Sequence, residues 1–269
     1  MSTITRVFET LRTREEGALI GYVMAGDPSP EQTPLIADAL IQGGVDILEL
    51  GLPFSDPIAD GPTIQAASVR ALKTGTTPRM VLEMAQEIKR KRNQPILVMT
   101  YYNPVFKMGL QRFFSLAKAC RVDGVIVPDL PIEEATDYIG TARANKVDTI
   151  FLAAPSTSAE RLQKIVACSS GFLYLISRFG VTGARETVED STIQLIKRVL
   201  PFTKGHVPLA VGFGVSKPEH ARSIIDAGAD GVIVGSAFVN VIQRSQGNTP
   251  AIIEQVGKLA QKFKATTIL

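Results

Sequence analysis

A chain of 269 residues that is 45% apolar exceeds the usual size of one domain, yet single α/β barrels routinely reach this length. One domain over residues 1–269 is the expectation. A formal charge of +3 is too small to imply a nucleic-acid partner, and the basic run Lys89–Arg92 closes a helical pattern, where positive charge suits the helix dipole. Cys120 and Cys168 stand far apart, with no CxxC pair and no neighbouring histidine, so they read as reduced thiols of a cytoplasmic protein. No apolar run approaches the about 18 residues of a membrane span. The N-terminus has no signal-peptide core, and Glu9, Glu15 and Glu16 argue against a transit peptide.

In chain order, Ile4, Val7, Phe8 and Leu11 follow helical spacing and predict a helix that covers one end of the domain. Short apolar runs then alternate with helical segments. The runs are 18–25, 47–50, 96–101, 124–127, 149–153, 172–176, 208–212 and 231–234. Between them the period predicts helices over 31–42, 63–73, 78–91, 110–120, 133–145, 159–167, 192–199 and 218–227. The runs are nearly continuous in Val, Ile, Leu and Phe, as strands covered on both faces are. Eight such units predict a (β/α)₈ TIM barrel with an extra N-terminal helix. A doubly wound sheet, the competitor, more typically carries a glycine-rich turn after its first strand. Here that turn is Ala25-Gly26-Asp27-Pro28.

A barrel's chemistry sits at the C-terminal ends of its strands. Glu49 lies near such an end among apolar neighbours, which raises a carboxyl pKa and suits it to proton transfer near neutral pH. Asp60 follows on a loop broken by Pro and Gly (Gly51–Pro62). Two acids in unlike surroundings are what acid/base chemistry without a metal needs. A second reading stands beside it, with Glu49 in a salt bridge and Asp60 capping the helix near Pro62. The other long loop is Ser177–Asp190; long loops in a compact fold tend to be lids or binding loops.

The seventh strand runs into Gly212-Phe213-Gly214-Val215-Ser216 and the eighth into Gly235-Ser236-Ala237-Phe238. Small residues there let backbone N–H groups approach an anion, and a helix starting after Gly235 points its positive end at the same place. Gly183 in the sixth loop completes the cradle. A small phosphorylated substrate is therefore expected.

Several chemistries recede. No lysine lies in any predicted strand, which speaks against a Schiff-base aldolase. His206 precedes the seventh strand and His220 lies within a helix, so no metal site is expected. A sugar-phosphate isomerase would pair two aspartates, but the fifth strand ends in Ala153-Ala154-Pro155 and Asp27 reads as a turn residue. Glu49, Asp60 and the hydroxyls of Tyr22, Tyr101, Tyr102 and Tyr174 remain. Tyr174 either faces the barrel axis or is a core tyrosine with a satisfied hydroxyl.

The stretches Glu49–Pro57 and Ala59–Gln65, with Pro128–Pro131, Gly180–Gly183, Gly212–Gly214 and Gly235-Ser236, closely resemble the tryptophan synthase alpha chain family. The resemblance covers essentially the whole chain. It implies retro-aldol cleavage of indole-3-glycerol phosphate to indole and glyceraldehyde 3-phosphate. Glu49 matches the proton-transfer residue, Asp60 the group that holds the indole N–H, and Tyr174 a tyrosine that helps to position or protonate. Gly183, Gly212, Gly214, Gly235 and Ser236 match the phosphate cradle, with Tyr22, Thr182 and Phe213 among the substrate-binding residues. Tyr22 stands where the family often has Phe, and Phe179 where a small residue is common. The resemblance also implies an αββα tetramer with a beta chain that carries pyridoxal phosphate, this chain holding no cofactor. The loop Pro53–Asp60 and the turn Asn103-Pro104 would face that partner. A stand-alone lyase and a non-catalytic binding module are the other hypotheses.

Overall fold

The computed structural model describes residues 1–177, 188–212 and 214–269. Its strands are β1 (Ala18–Met24), β2 (Ile47–Gly51), β3 (Ile96–Met99), β4 (Gly124–Ile126), β5 (Asp148–Ile150), β6 (Leu152–Ala153), β7 (Leu173–Ile176), β8 (Leu209–Gly212) and β9 (Gly231–Val234). They pair in parallel in the order β5-β4-β3-β2-β1-β9-β8-β7-β6. The two ends of that row, β5 and β6, are separated in the chain by Phe151 alone. The sheet therefore curls round on itself, and the expected TIM barrel is what forms.

The predicted fifth strand is divided at this seam. Asp148–Ile150 pair with β4, whereas Leu152 and Ala153 pair with β7. Phe151 turns its ring towards Tyr138 and its carbonyl accepts the Tyr174 N–H at 3.0 Å.

Strand residues alternate strictly between two apolar layers. Leu48, Leu50, Val98, Val125, Leu173, Leu175, Val211 and Val232 face the surrounding helices. Ile20, Ile47, Leu97, Ile126, Ile150, Tyr174, Ala210 and Ile233 fill the barrel. The helix Thr3–Arg12 contributes Ile4, Phe8 and Leu11 to that inner layer. It plugs the N-terminal end, as its periodicity predicts. Three carboxylates fix strand starts at the same end: Asp46, Asp123 and Asp230 accept the N–H groups of Leu19, Ile96 and Leu209, each at 2.8 Å.

The other differences are local. The third strand ends at Met99 and not at Tyr101, because the chain leaves the sheet to start the helix Tyr102–Met108. The helix expected over 133–145 is a 3₁₀ turn, Ile132–Glu134, followed by Thr136–Ala144. The one expected over 192–199 runs from Val188 to Thr203. A final helix, Thr249–Ala265, packs Ile252, Val256, Ala260 and Phe263 into the outer layer.

The plug carries stability. Phe8 packs on Phe172 with ring centroids 5.8 Å apart, so Phe8→Ala is expected to cost about 3–5 kcal/mol in chemical denaturation. A loss below about 1 kcal/mol would show that the barrel floor closes without the helix.

Candidate active site

Glu49 alternates with Leu48 and Leu50 of the outer layer, so its side chain enters the barrel beside its register partners Tyr22 and Leu97. It is 1% exposed. Neither carboxyl oxygen has a hydrogen-bond partner among the described residues. The salt-bridge reading of this residue is thereby set aside. Burial, reinforced by the nearby Asp60 carboxylate, raises its pKa from 4.5 to about 8. At neutral pH Glu49 is a neutral acid with a proton to give.

Asp60 lies at the end of the loop after β2. Its N–H bonds to the Pro57 carbonyl at 3.1 Å and its own carbonyl accepts the Gln65 side chain at 3.0 Å. It does not cap the following helix: the N-cap of Pro62–Lys73 is Gly61, with no side-chain cap. Burial raises the pKa of its carboxyl to about 6, and the Tyr101 hydroxyl beside it acts in the opposite sense. The acids therefore differ in the way proton transfer requires, Glu49 protonated and Asp60 mostly ionised at pH 7.

Tyr101 is the residue whose part the sequence did not assign. Its hydroxyl accepts the Ala59 N–H at 2.9 Å and lies beside the Asp60 carboxylate, and its ring stacks on Phe54 at 5.3 Å. Ser68 holds the other side of the loop, accepting the Phe54 N–H at 2.9 Å and donating to its carbonyl at 2.8 Å. Tyr102, by contrast, lies on the rim against Phe106.

Tyr174 faces the barrel axis, the first of its two readings. It is buried in the inner layer and lies close enough to Glu49 and Asp60 for their charges, after burial, to raise its pKa. Tyr22 occupies the corresponding place on β1, its pKa raised first by burial, then by Asp60 and Glu49. The glycines opposite are shaped to these rings. A Cβ on Gly212 would lie 2.7 Å from the Tyr174 hydroxyl, and one on Gly235 would lie 3.3 Å from the Tyr22 ring. Gly214 adopts φ +89°, a conformation that favours glycine. Gly235 is the N-cap of the helix Ser236–Arg244, at the same end of the barrel as Glu49. Thr182, Gly183 and Phe213, and Phe179 with them, lie outside the described residues.

The excluded chemistries can be placed as well. Asp27 is not a free acid in the mouth; it is buried in a bidentate ion pair with Arg70, both bonds 2.8 Å. The His220 Nδ1 accepts the Ser216 N–H at 3.5 Å. Among the described residues no group of three or more His, Cys, Asp and Glu is arranged to hold a metal ion.

A (β/α)₈ barrel with a neutral buried acid and an ionised loop acid at its C-terminal mouth, facing two glycine-bearing strand ends, belongs to the class of barrel enzymes that work by carboxylate acid/base chemistry on small molecules. The family model for the tryptophan synthase alpha chain matches residues 8–268. The alpha chain of Methanosarcina barkeri is 48% identical over 262 residues, 97% of this chain and 96% of the relative. That of Methanopyrus kandleri is 48% identical over 260 residues, 97% of this chain and 93% of the relative. Among solved structures, the alpha subunit of Legionella pneumophila superposes with a TM-score of 0.90 at 32% identity, covering 99% of this chain and 98% of that one. A chain of the tryptophan synthase complex of Pyrococcus furiosus gives 0.84 at 39% identity, covering 93% and 98%. The chain belongs to the tryptophan synthase alpha chain family.

Burial of Glu49 makes stability depend on pH in a stated direction. Its folded pKa of about 8 lies above the ordinary 4.5, so between these values the folded state binds more protons and stability falls as pH rises. Glu49→Gln removes this term. The melting temperature of the variant relative to the natural chain is expected to climb steadily from pH 5 to pH 8. A difference that stays constant over that range would mean that Glu49 ionises normally.

Proposed function

We propose that Glu49 and Asp60 carry out the carbon–carbon cleavage catalysed by this family, with Tyr174 positioning the aromatic ring. The enzyme is a lyase that divides indole-3-glycerol phosphate into indole and glyceraldehyde 3-phosphate. Indole leaves poorly as a carbanion, so its C3 must gain a proton before the bond breaks. Glu49 donates that proton to C3, which gives an indoleninium able to accept the bonding electrons. The Glu49 carboxylate so formed removes the proton from the hydroxyl on the adjacent glycerol carbon as the C–C bond breaks, the aldehyde forms and the acid is regenerated. One group thus performs both transfers. Asp60 accepts a hydrogen bond from the indole N–H and balances the positive charge on the ring. The observation that carries this reading is the Glu49 carboxyl, buried within the barrel with no protein partner.

Gly212, Gly214, Gly235 and Ser236, with Gly183, form the proposed phosphate cradle, and Phe213 is a proposed substrate-binding residue. The start of the helix Ser236–Arg244 supplies the positive end that favours a dianion. Thr182 is the proposed partner of Asp60 in the substrate complex. We treat residues 1–269 as one barrel domain, and place the protein in the cytoplasm with no membrane or nucleic-acid partner. No described helix is long and apolar enough to cross a membrane.

The partner is a tryptophan synthase beta chain, in an αββα tetramer, and pyridoxal phosphate belongs to that chain and not to this one. Two apolar side chains at the mouth support this. Ile58, in the loop that carries Asp60, is 84% exposed, and Phe106, in the helix after Asn103-Pro104, is 69% exposed. Curated relatives carry the alpha chain's name, and the stand-alone lyase is set aside. The intact acid pair argues against a non-catalytic binding module.

Two measurements test the proposal. The pH profile of kcat/KM is expected to be bell-shaped, rising near 6 as Asp60 ionises and falling near 8 as Glu49 loses its proton, and Glu49→Gln should lower kcat by about 10²–10⁴ with the fold intact. Near-normal turnover in that variant would reject the assignment. Ile58→Asp should weaken binding to a beta chain by at least about tenfold in calorimetry, as loss of an apolar interface anchor does. Unchanged affinity would place the interface elsewhere.

A further inference from the structure

We infer that the Tyr22 hydroxyl is a specificity-determining group that recognises the hydroxyls of the substrate's glycerol chain; this rests on the cleavage reaction proposed above. Tyr22 is buried, yet its hydroxyl is poorly used. Among the described residues its one hydrogen bond is to the thioether sulphur of Met24, at 4.0 Å. A thioether is a weak acceptor, and a buried hydroxyl normally finds a better one.

The position of the ring says which ligand group supplies that acceptor. Tyr22 is the register partner of Glu49, and the preceding residue, Gly21, pairs with Val234 at the end of β9. The base of the side chain lies over Gly235, where an added Cβ would be 3.3 Å from Cδ1 and 3.4 Å from Cβ of Tyr22. Its tip lies over Gly51, where an added Cβ would be 2.1 Å from the hydroxyl oxygen. The ring therefore spans from the helix start proposed to hold the phosphate to the strand end that carries Glu49. Both Asp60 and Glu49 lie within electrostatic reach of the hydroxyl.

A substrate that places its phosphate at Gly235 and its indole C3 at Glu49 must lay the linking carbons along this ring. Those carbons carry two hydroxyl groups, which are the only polar atoms between the two ends. A phenol directed at them gains a hydrogen bond from a hydroxylated chain and nothing from a bare one. Gly51 is part of the device, since any side chain there would occupy the place of the hydroxyl. A phenylalanine at position 22 would keep the ring contacts with Gly235 and lose the recognition.

The test compares the natural chain with Tyr22→Phe, which retains the ring and its packing. Two ligands are used: indole-3-glycerol phosphate, followed by steady-state cleavage, and 3-(indol-3-yl)propyl phosphate, the same skeleton without hydroxyls, followed by its inhibition constant. Loss of one hydrogen bond is expected to reduce kcat/KM for the substrate by about 3- to 10-fold, while the inhibition constant of the bare analogue changes by less than about twofold. Equal losses for both ligands would show that Tyr22 acts through its ring alone, and no change with either would show that the hydroxyl does not meet the chain. Both results overturn the inference and leave the cleavage reaction standing. Failure of the natural chain to cleave the substrate at all would overturn the reaction and the inference together.

Discussion

Glu49 is an ionisable group enclosed by apolar side chains, and no protein atom among the described residues offers it a hydrogen bond. The shift of its pKa from 4.5 to about 8 corresponds to roughly 5 kcal/mol of preference for the neutral form. Such a preference persists only if the carboxyl stays dry and unpaired. The helix Thr3–Arg12 closes the barrel floor beneath it with Ile4, Phe8 and Leu11. Ile47, Leu97 and Ile126 belong to the same inner layer. The barrel thus keeps a proton on Glu49 at neutral pH.

The second acid is set by different means. Asp60 belongs to a loop, and a loop places a side chain only as well as it is held. Tyr101 receives the Ala59 N–H, lies beside the Asp60 carboxylate and stacks on Phe54; Ser68 clasps the Phe54 backbone and Gln65 the Asp60 carbonyl. These contacts join three successive segments of the chain, so the loop is presented on a rigid base. Two tyrosine rings, Tyr22 and Tyr174, fill the space between the acids and the glycine-bearing ends of β8 and β9. Each lies over a glycine that a larger residue would force aside.

Much of this was legible in the sequence. Continuous apolar runs separated by helical periods specify a parallel barrel, because only strands covered on both faces tolerate that composition. A lone carboxylate in such a run can face only the helices or the axis, and Glu49 stands two residues after inward-facing Ile47. What escaped was set by geometry across the barrel. The division of the fifth strand at Phe151 comes from closure, where one strand must pair with neighbours on both sides at different registers. The part played by Tyr101 depends on the course of the loop after β2, which no local pattern encodes. Gly212 and Gly235 read as anion contacts, and their accommodation of Tyr174 and Tyr22 needed the cross-strand register. The helix Thr249–Ala265 did carry a signal, Asn248 as cap and Pro250 in its first turn, that the strand pattern overshadowed.

The protonation state of one side chain decides the account most directly. Carbon-13 labelling of glutamate carboxyls, with Glu49→Gln to assign the resonance, allows position 49 to be titrated by NMR in the intact chain. A midpoint near 8, moving down when Asp60 is replaced by Asn, is the expected result. A midpoint near the ordinary 4.5 would mean that the carboxyl is solvated or paired, and the chemistry built on it would have to be abandoned.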